Sequence, residues 1–387
     1  MLTLAYQLSF NTPAFLGNAD QQAQWRTPPI KALIRQWWRV VQKARTPADL
    51  GRMRHAEGMQ FGNAWLSEEG NPGKTLHRKS DLLIRLSKHA TGEQSTESWQ
   101  NLQFDTIQTT PEARLRADLY TGYGPVLSER AASGARRVVI PRGAIDAGKA
   151  VQLRLGMRHS LEGLEDTLRL MHWFGAVGSR SRNGWGSLQL EPDNEASHLL
   201  GMGDALKLAQ EYGRSWRDCR QLDWPHAIGR DEDGPLLWVS EDLEHWRAAI
   251  GRLARVRVAA RLSAKRLRDR SGTAGALHYL GYPAGTGKSN PWELPLRERS
   301  TAEPRLASPL RFKVVRSGAR VRALVYHMPA RLPDAFLGAI GRAEAAWLGD
   351  ERNWLHAWQA IHHMLDGNQD PMVHGKSLGL RRIGAGA

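Results

Sequence analysis

The amino-acid sequence predicts an α+β protein of two domains. Its 387 residues exceed the usual size of one domain. Segments with a two-residue alternation of apolar and polar side chains are mixed with amphipathic helical periods in both halves. Midway, Glu191-Pro-Asp-Asn-Glu195 breaks the pattern, which sets the expected domains at residues 1–192 and 193–387. Hydrophobic residues make up 41% and charged residues 24%, so a disordered chain is excluded, and no apolar run reaches the roughly 18 residues of a membrane span. Residues 1–11 lack a basic segment followed by a long apolar stretch, so no secretory signal is read there and a cytoplasmic protein is expected. One cysteine, Cys219, excludes an internal disulfide framework and a zinc site built on several thiolates.

In chain order, residues 3–10 read as a strand. A helix follows, with Ile30, Leu33, Ile34, Trp37, Trp38 and Val41 on one face at the 3.6-residue period. Thr27 is its expected N-cap, and Pro28 and Pro29 sit where a missing N–H costs nothing. At least one of the two tryptophans is expected in the core. Residues 50–105 read as loop-rich, apart from a strand near 80–87. Residues 151–158 alternate as a strand, 160–174 form a helix, a glycine-rich loop spans 178–187 and a strand covers 188–190. In the second half a long helix is expected over 242–270 and a Gly/Pro-rich loop over 271–304. A hairpin over 310–328 turns at Ser317-Gly318, and helices continue through Asp366.

The formal net charge is +15, and its placement is uneven. Residues 251–331 hold 18 Lys and Arg against four acids, leaving 36 against 35 elsewhere. A second window, 21–46, has no acid and contains Arg26, Lys31, Arg35, Arg39, Lys43 and Arg45. Lys31, Arg35 and Arg39 follow one another at four-residue steps, a cationic ridge beside the apolar face. Clustered cations suit a polyanion, because each phosphate contact releases counterions. Arg outnumbers Lys 43 to 11, which favours bidentate phosphate contacts and stacking on bases.

Gly178-Ser-Arg-Ser-Arg-Asn-Gly-Trp-Gly-Ser187 combines three glycines with Arg180 and Arg182 between a helix and a strand. Glycines allow close backbone approach and expose N–H groups, and the arginines add fixed charge, so the segment reads as a phosphate cradle. It is not a dinucleotide fingerprint, which follows a strand and opens a helix. Gly285-Thr-Gly-Lys-Ser289 is not a P-loop: Tyr282 stands where the first glycine belongs, and Pro291 interrupts any following helix. His362 and His363 have no carboxylate or cysteine at metal-ligand spacing and read as core or surface residues; no metal and no cofactor is expected. His55, with Glu57 nearby, and Asp20, in the loop before the cationic helix, are weak candidates for catalysis.

Several of these segments together resemble one family. Thr12-Pro-Ala-Phe-Leu-Gly-Asn-Ala-Asp20, followed by Arg26-Thr-Pro-Pro-Ile-Lys-Ala-Leu-Ile-Arg-Gln-Trp-Trp-Arg39, is similar to the opening of the RAMP subunit numbered one in the type III-B (Cmr) CRISPR effector. That family reads T-P-x-F-x-G-G and then R-x-x-S-I-K-G-x-L-R-F-W-W-R. Glu57-Gly-Met-Gln-Phe-Gly62 matches its E-x-x-L-F-G, Gly178 to Ser187 its G-x-R-x-R-x-G-x-G loop, and Arg305-Leu-Ala-Ser-Pro-Leu310 its R-x-A-S-P-L. Asn18, Pro29, Ala32 and Gln36 depart from the family's Gly, Ser, Gly and Phe.

The resemblance implies two ferredoxin-like (RNA-recognition-motif-like) RAMP domains at the head of a crRNA-guided complex, near the crRNA 3′ end. The subunit would hold crRNA and target RNA beside other Cmr RAMP subunits and the large polymerase-like subunit, with no membrane and no cleavage by this chain. The residues by themselves lead to an RNA-binding α+β protein. Candidate RNA contacts are Arg26, Lys31, Arg35, Arg39, Gly178, Arg180, Arg182, Gly184, Gly186, Arg305 and Arg311. A RAMP endoribonuclease that processes crRNA or cuts target is the alternative, with Asp20 or His55 as its base.

Overall fold

In the computed structural model, which describes residues 2–68, 71–131, 134–268, 272–285, 290–297, 303–372 and 376–384, the opening segment forms a long central strand, β1 (Leu2–Phe10). Helices α1 (Thr27–Val41) and α2 (Pro47–Phe61) follow. Then come β2 (Leu82–Leu86), β3 (Ala150–Met157), α3 (Leu164–Phe174) and β4 (Leu188–Pro192). The four strands form one antiparallel sheet in the order β4-β1-β3-β2. Alternation places Leu4, Tyr6, Leu8 and Phe10 of β1 in register with Leu155, Leu153, Leu190 and Leu188, and all are buried. Helices α1 and α3 pack on the sheet and on each other, with the Trp37 and Phe174 rings 5.9 Å apart.

Helix α1 follows its sequence period: Ile30, Leu33, Ile34, Trp37 and Trp38 are all buried. Its N-cap is Arg26 rather than Thr27, and no side chain caps it, because the prolines already remove donors that a cap would serve. Helix α2 corrects the loop reading of residues 50–105. Its sequence holds two glycines and no continuous apolar stripe, so periodicity does not reveal it. Local chemistry starts it instead: Thr46 and Asp49 form a reciprocal capping box, and Pro47 follows the cap.

By internal contacts the chain divides into two units. One comprises Met1–Gln103, Thr121–Tyr212 and Lys313–Val321, and the other Phe104–Tyr120, Gly213–Phe312 and Arg322–Ala387. The first unit thus runs past residue 192, where the sequence suggested a boundary. The break in pattern there is a helix cap docked on the sheet, not a linker. Asn194 caps the short helix Glu195–Leu200, accepts from the Ala5 amide at 3.2 Å and donates to the Thr3 carbonyl at 2.9 Å. Lys313 also belongs to this unit. It is 1% exposed, and its ammonium donates to the carbonyls of Met171, His172 and Leu188, two of them in the last turn of α3. Burial pushes its pKa well below the ordinary lysine value.

The second unit contains β5 (Leu237–Ser240), α4 (Trp246–Lys265), α5 (Glu351–Gly367), β8 (Leu380–Arg382) and most of β7 (Arg320–His327), whereas β6 (Leu310–Ser317) is divided, Leu310–Phe312 here and Lys313–Ser317 in the first unit. These four strands form one sheet in the order β6-β7-β5-β8, with Lys313–Val321 grouped with the first unit. The hairpin turns at Gly318, whose φ of +61° suits glycine. No helix among the described residues is long and apolar enough to cross a membrane.

The core of the second unit holds a histidine pair. His327 Nδ1 and His362 Nε2 are 3.0 Å apart, and His327 stacks on Trp358 at 3.9 Å between ring centres. His362 is therefore a core residue, as the sequence suggests, and His363 is exposed. Burial drives the His362 pKa down to about 3 and that of His327 well below its ordinary value; in the first unit, burial and Lys313 lower His172 to about 4. These rings are neutral when folded and protonate readily when unfolded, so the unfolded state takes up more protons below pH 6.5. The histidines' contribution to stability is then full above about pH 6.5 and declines as the pH falls from there. At pH 5 the His362 ring alone costs about 2 kcal/mol. Calorimetry between pH 8 and pH 4 should give a melting temperature that falls as the pH is lowered, most steeply below pH 6 where the histidines add to Lys313.

Candidate nucleic-acid interface

The glycine-rich loop and the Thr12-Pro-Ala-Phe segment, far apart in sequence, lie backbone against backbone. Ser179 N donates to Phe15 O at 2.9 Å, Gly186 N to Pro13 O at 3.0 Å and Asn11 N to Ser187 O at 2.7 Å. The Thr12 hydroxyl donates to Gly184 O at 2.7 Å and accepts from Ser187 N at 3.1 Å. The approach dictates glycine at 178, and the loop's own closure on Val177 dictates it at 186. A Cβ on Gly178 would stand 2.6 Å from Phe15 O, one on Gly186 would overlap Val177 O, and both residues have positive φ, +91° and +61°.

The loop differs from the phosphate cradle expected of it. Its amides at Ser179, Ser181, Asn183, Gly186 and Ser187 are all spent on internal acceptors, and Gly184 and Gly186 are buried. The glycines shape the loop, and the two exposed arginines at its crest, Arg180 and Arg182, are what it presents to solvent. Arg180 itself has φ of +60°, an uncommon conformation for a residue with a side chain.

A turn that sequence reasoning missed completes the surface. Residues 121–126, Thr-Gly-Tyr-Gly-Pro-Val, are fastened to the loop by three side chains. Asn183 Nδ2 donates to Thr121 O at 2.8 Å, Trp185 Nε1 to Thr121 Oγ1 at 3.1 Å and Arg180 Nε to Tyr123 O at 2.6 Å. Beneath them Phe15, Trp99 and Trp185 form an aromatic cluster with centroids 5.4 to 5.9 Å apart. The Gly-Tyr-Gly-Pro run was the available signal, a tight turn displaying one aromatic.

The cationic ridge of α1 is turned largely toward the protein. Arg35 Nε and Arg39 Nε reach the two carboxylate oxygens of Glu57 on α2 at 2.5 and 2.7 Å, and Glu57 is only 4% exposed. Burial pushes the Glu57 carboxyl up, but Arg39 and Arg35 outweigh it and hold the pKa below the ordinary value. Lys31 Nζ donates to Phe61 O at 2.9 Å, at the C-terminus of α2, and burial together with Arg35 lowers its pKa. The conspicuous Glu57 of the sequence is thus a structural anion. Arg26 donates to Gly17 O at 2.5 Å, two residues past the Phe15 that meets the loop.

The remaining candidates lie elsewhere. Arg305 is exposed beside Glu303, and Arg311 is 7% exposed within β6, both in the second unit; burial withdraws Arg311 from any ligand surface. Much of the basic stretch 251–331 is used inside the fold. Arg252 grips Glu241 and the Gly379 carbonyl, while Arg257, Arg261, Arg268 and Arg297 donate to the carbonyls of Tyr120, Ala284, Pro291 and Ile340. Asp20 is exposed in a turn and His55 is half-buried on α2. Of Gly285-Thr-Gly-Lys-Ser289, residues 286–289 lie outside the described residues. Among the described residues no cluster of three His, Cys, Asp or Glu could hold a metal ion.

No protein-family model and no curated protein matches this sequence. Among solved structures the chain is similar to apo Cmr1 from Pyrococcus furiosus, with 14% identity, 91% of this chain and 97% of that one covered, and a TM-score of 0.42. It is also similar to a chain of the Type III-B Cmr-beta complex bound to cognate target RNA, with 10% identity, coverage of 93% and 99%, and a TM-score of 0.41.

Two stability measurements test the architecture of this region. Gly186→Ala places a methyl group against Val177 O at positive φ and should cost about 3 kcal/mol or more, whereas Gly148→Ala, also at positive φ but in open space, should cost about 1 kcal/mol. Replacing Arg35 and Arg39 together with Ala strands the buried Glu57 carboxylate and should cost about 3 kcal/mol, with most of the loss recovered on adding Glu57→Leu. Urea unfolding of each variant reads both effects.

Proposed function

We propose that this chain is an RNA-binding subunit of a crRNA-guided type III-B CRISPR effector, equivalent to the RAMP subunit numbered one, and that it holds RNA without cutting it. The observation that carries the reading is the joining of two motif segments, Thr12 to Leu16 and Gly178 to Ser187, into one backbone-packed platform that turns Arg180 and Arg182 to solvent. Guanidinium forks on a rigid loop suit phosphate oxygens and do not read sequence.

The reading extends to the fold. Each of the two four-stranded sheets, with its helices, follows the chain order β-α-β-β-α-β, with the first strand beside the fourth and third. That order supports two ferredoxin-like RAMP domains. In the cell the chain would work in the cytoplasm with crRNA, target RNA, the neighbouring RAMP subunits and the large subunit.

Binding of single-stranded RNA should weaken steeply with salt, and Arg180→Ala with Arg182→Ala should lower affinity for all sequences alike. The log–log salt slope should shrink by about 1.4, roughly 0.7 for each lost phosphate contact. A flat salt response of the unaltered protein would remove the electrostatic basis of the proposal. The competing endoribonuclease reading predicts cleavage of labelled RNA that disappears in Asp20→Ala or His55→Ala. Intact RNA, with and without manganese, is the result expected here.

A further inference from the structure

We infer that Tyr123 is a stacking platform for one unpaired base of the bound strand, an inference that rests on the RNA-binding reading above. Tyr123 is 54% exposed and is the one aromatic among the exposed large hydrophobic side chains of the described residues. The rest of its turn is immobilised. Thr121 O, Thr121 Oγ1 and Tyr123 O each accept a hydrogen bond from a side chain of the glycine loop, and Val126 N closes the turn on Gly122 O at 2.9 Å.

The flanking glycines hold this geometry. A Cβ on Gly122 would press to 2.7 Å from Val126 Cγ2, and Gly124 has φ of +107°. Among the described residues no aromatic ring or cation is stacked on the Tyr123 ring. A half-exposed aromatic on a rigid turn loses little conformational freedom on binding, which is what a stacking platform requires.

The neighbouring charge selects the partner. Arg180 is the residue that fixes the Tyr123 carbonyl, and its side chain is itself exposed, so a phosphate-binding group and a π face share one small, rigid surface. Single-stranded nucleic acid offers both complements on adjacent atoms of one nucleotide. A protein partner would match the ring but would need a carboxylate at the arginines, so single-stranded RNA is the occupant this pairing favours.

The test compares the full chain with Tyr123→Ala and Tyr123→Phe, each bound to a ten-nucleotide single-stranded RNA and to an abasic ribose-phosphate strand of equal length. Tyr123→Ala should weaken RNA binding about 5- to 150-fold, the range for losing one base stack, with the salt slope unchanged. Tyr123→Phe should bind as the unaltered protein does, and Tyr123→Ala should make no difference on the abasic strand. Equal RNA affinity of Tyr123→Ala and the unaltered protein overturns the inference and leaves the RNA reading intact. So does an equal loss on the abasic strand, which would mean a backbone contact or a disturbed turn. Absence of RNA binding by the unaltered protein overturns both, and a melting curve of Tyr123→Ala identifies a folding defect, which would also count against a purely surface role.

Discussion

The close passage of residues 177–187 over residues 11–16 is the constraint on which the first unit depends. Backbone atoms approach there to distances that leave no room for a side chain at Gly178, while the loop's own closure on Val177 leaves none at Gly186. The same crossing brings the end of β1 to the start of β4, where Phe10 pairs with Leu188, so it fixes the register of a central strand against its edge neighbour. From the loop side, Asn183, Trp185 and Arg180 then fasten the turn at residues 121–126. One backbone contact thereby links sheet register to the geometry of the exposed surface.

Charge in this protein is not a map of its ligand surface. The basic stretch 251–331 looks like a polyanion site when counted, yet many of its guanidinium groups serve carbonyls in irregular segments. A chain rich in glycine and proline leaves many backbone acceptors outside helices and sheets, and a guanidinium with five donors can satisfy several at once. The ridge on α1 shows the same use, with two arginines shared by one buried carboxylate. Arg180 serves a carbonyl as well, that of Tyr123, but its side chain and that of Arg182 are exposed.

Legibility followed the physical origin of each element. Strand β1, helix α1 and the β6–β7 hairpin were readable because a repeated apolar period or a turn glycine encodes them locally. Helix α2 was not, since a capping box and the Glu57 ion pair hold it in place of an apolar stripe. Arg311 was read as a ligand contact because its strand burial depends on neighbours distant in sequence. The motif segments were legible as a family resemblance, but their backbone contact was not, because it joins residues more than 160 positions apart. Exposure of Tyr123 is likewise a property of the folded surface and leaves no periodic trace.

Lys313 carries the same lesson into the core. Its sequence position, within the basic stretch of the second half, suggests a surface cation. Its ammonium instead sits among three carbonyl oxygens of the first unit, two of them at the negative end of the α3 dipole. Helix C-termini leave carbonyls without intrahelical partners, and in a buried place water cannot serve them. A long side chain with three donors resolves that need, at the cost of burying an amine whose pKa is driven down. The first unit is therefore not closed by its own contiguous sequence: the residue that satisfies the end of α3 arrives from the hairpin at residues 310–327, so neither unit corresponds to a simple half of the chain.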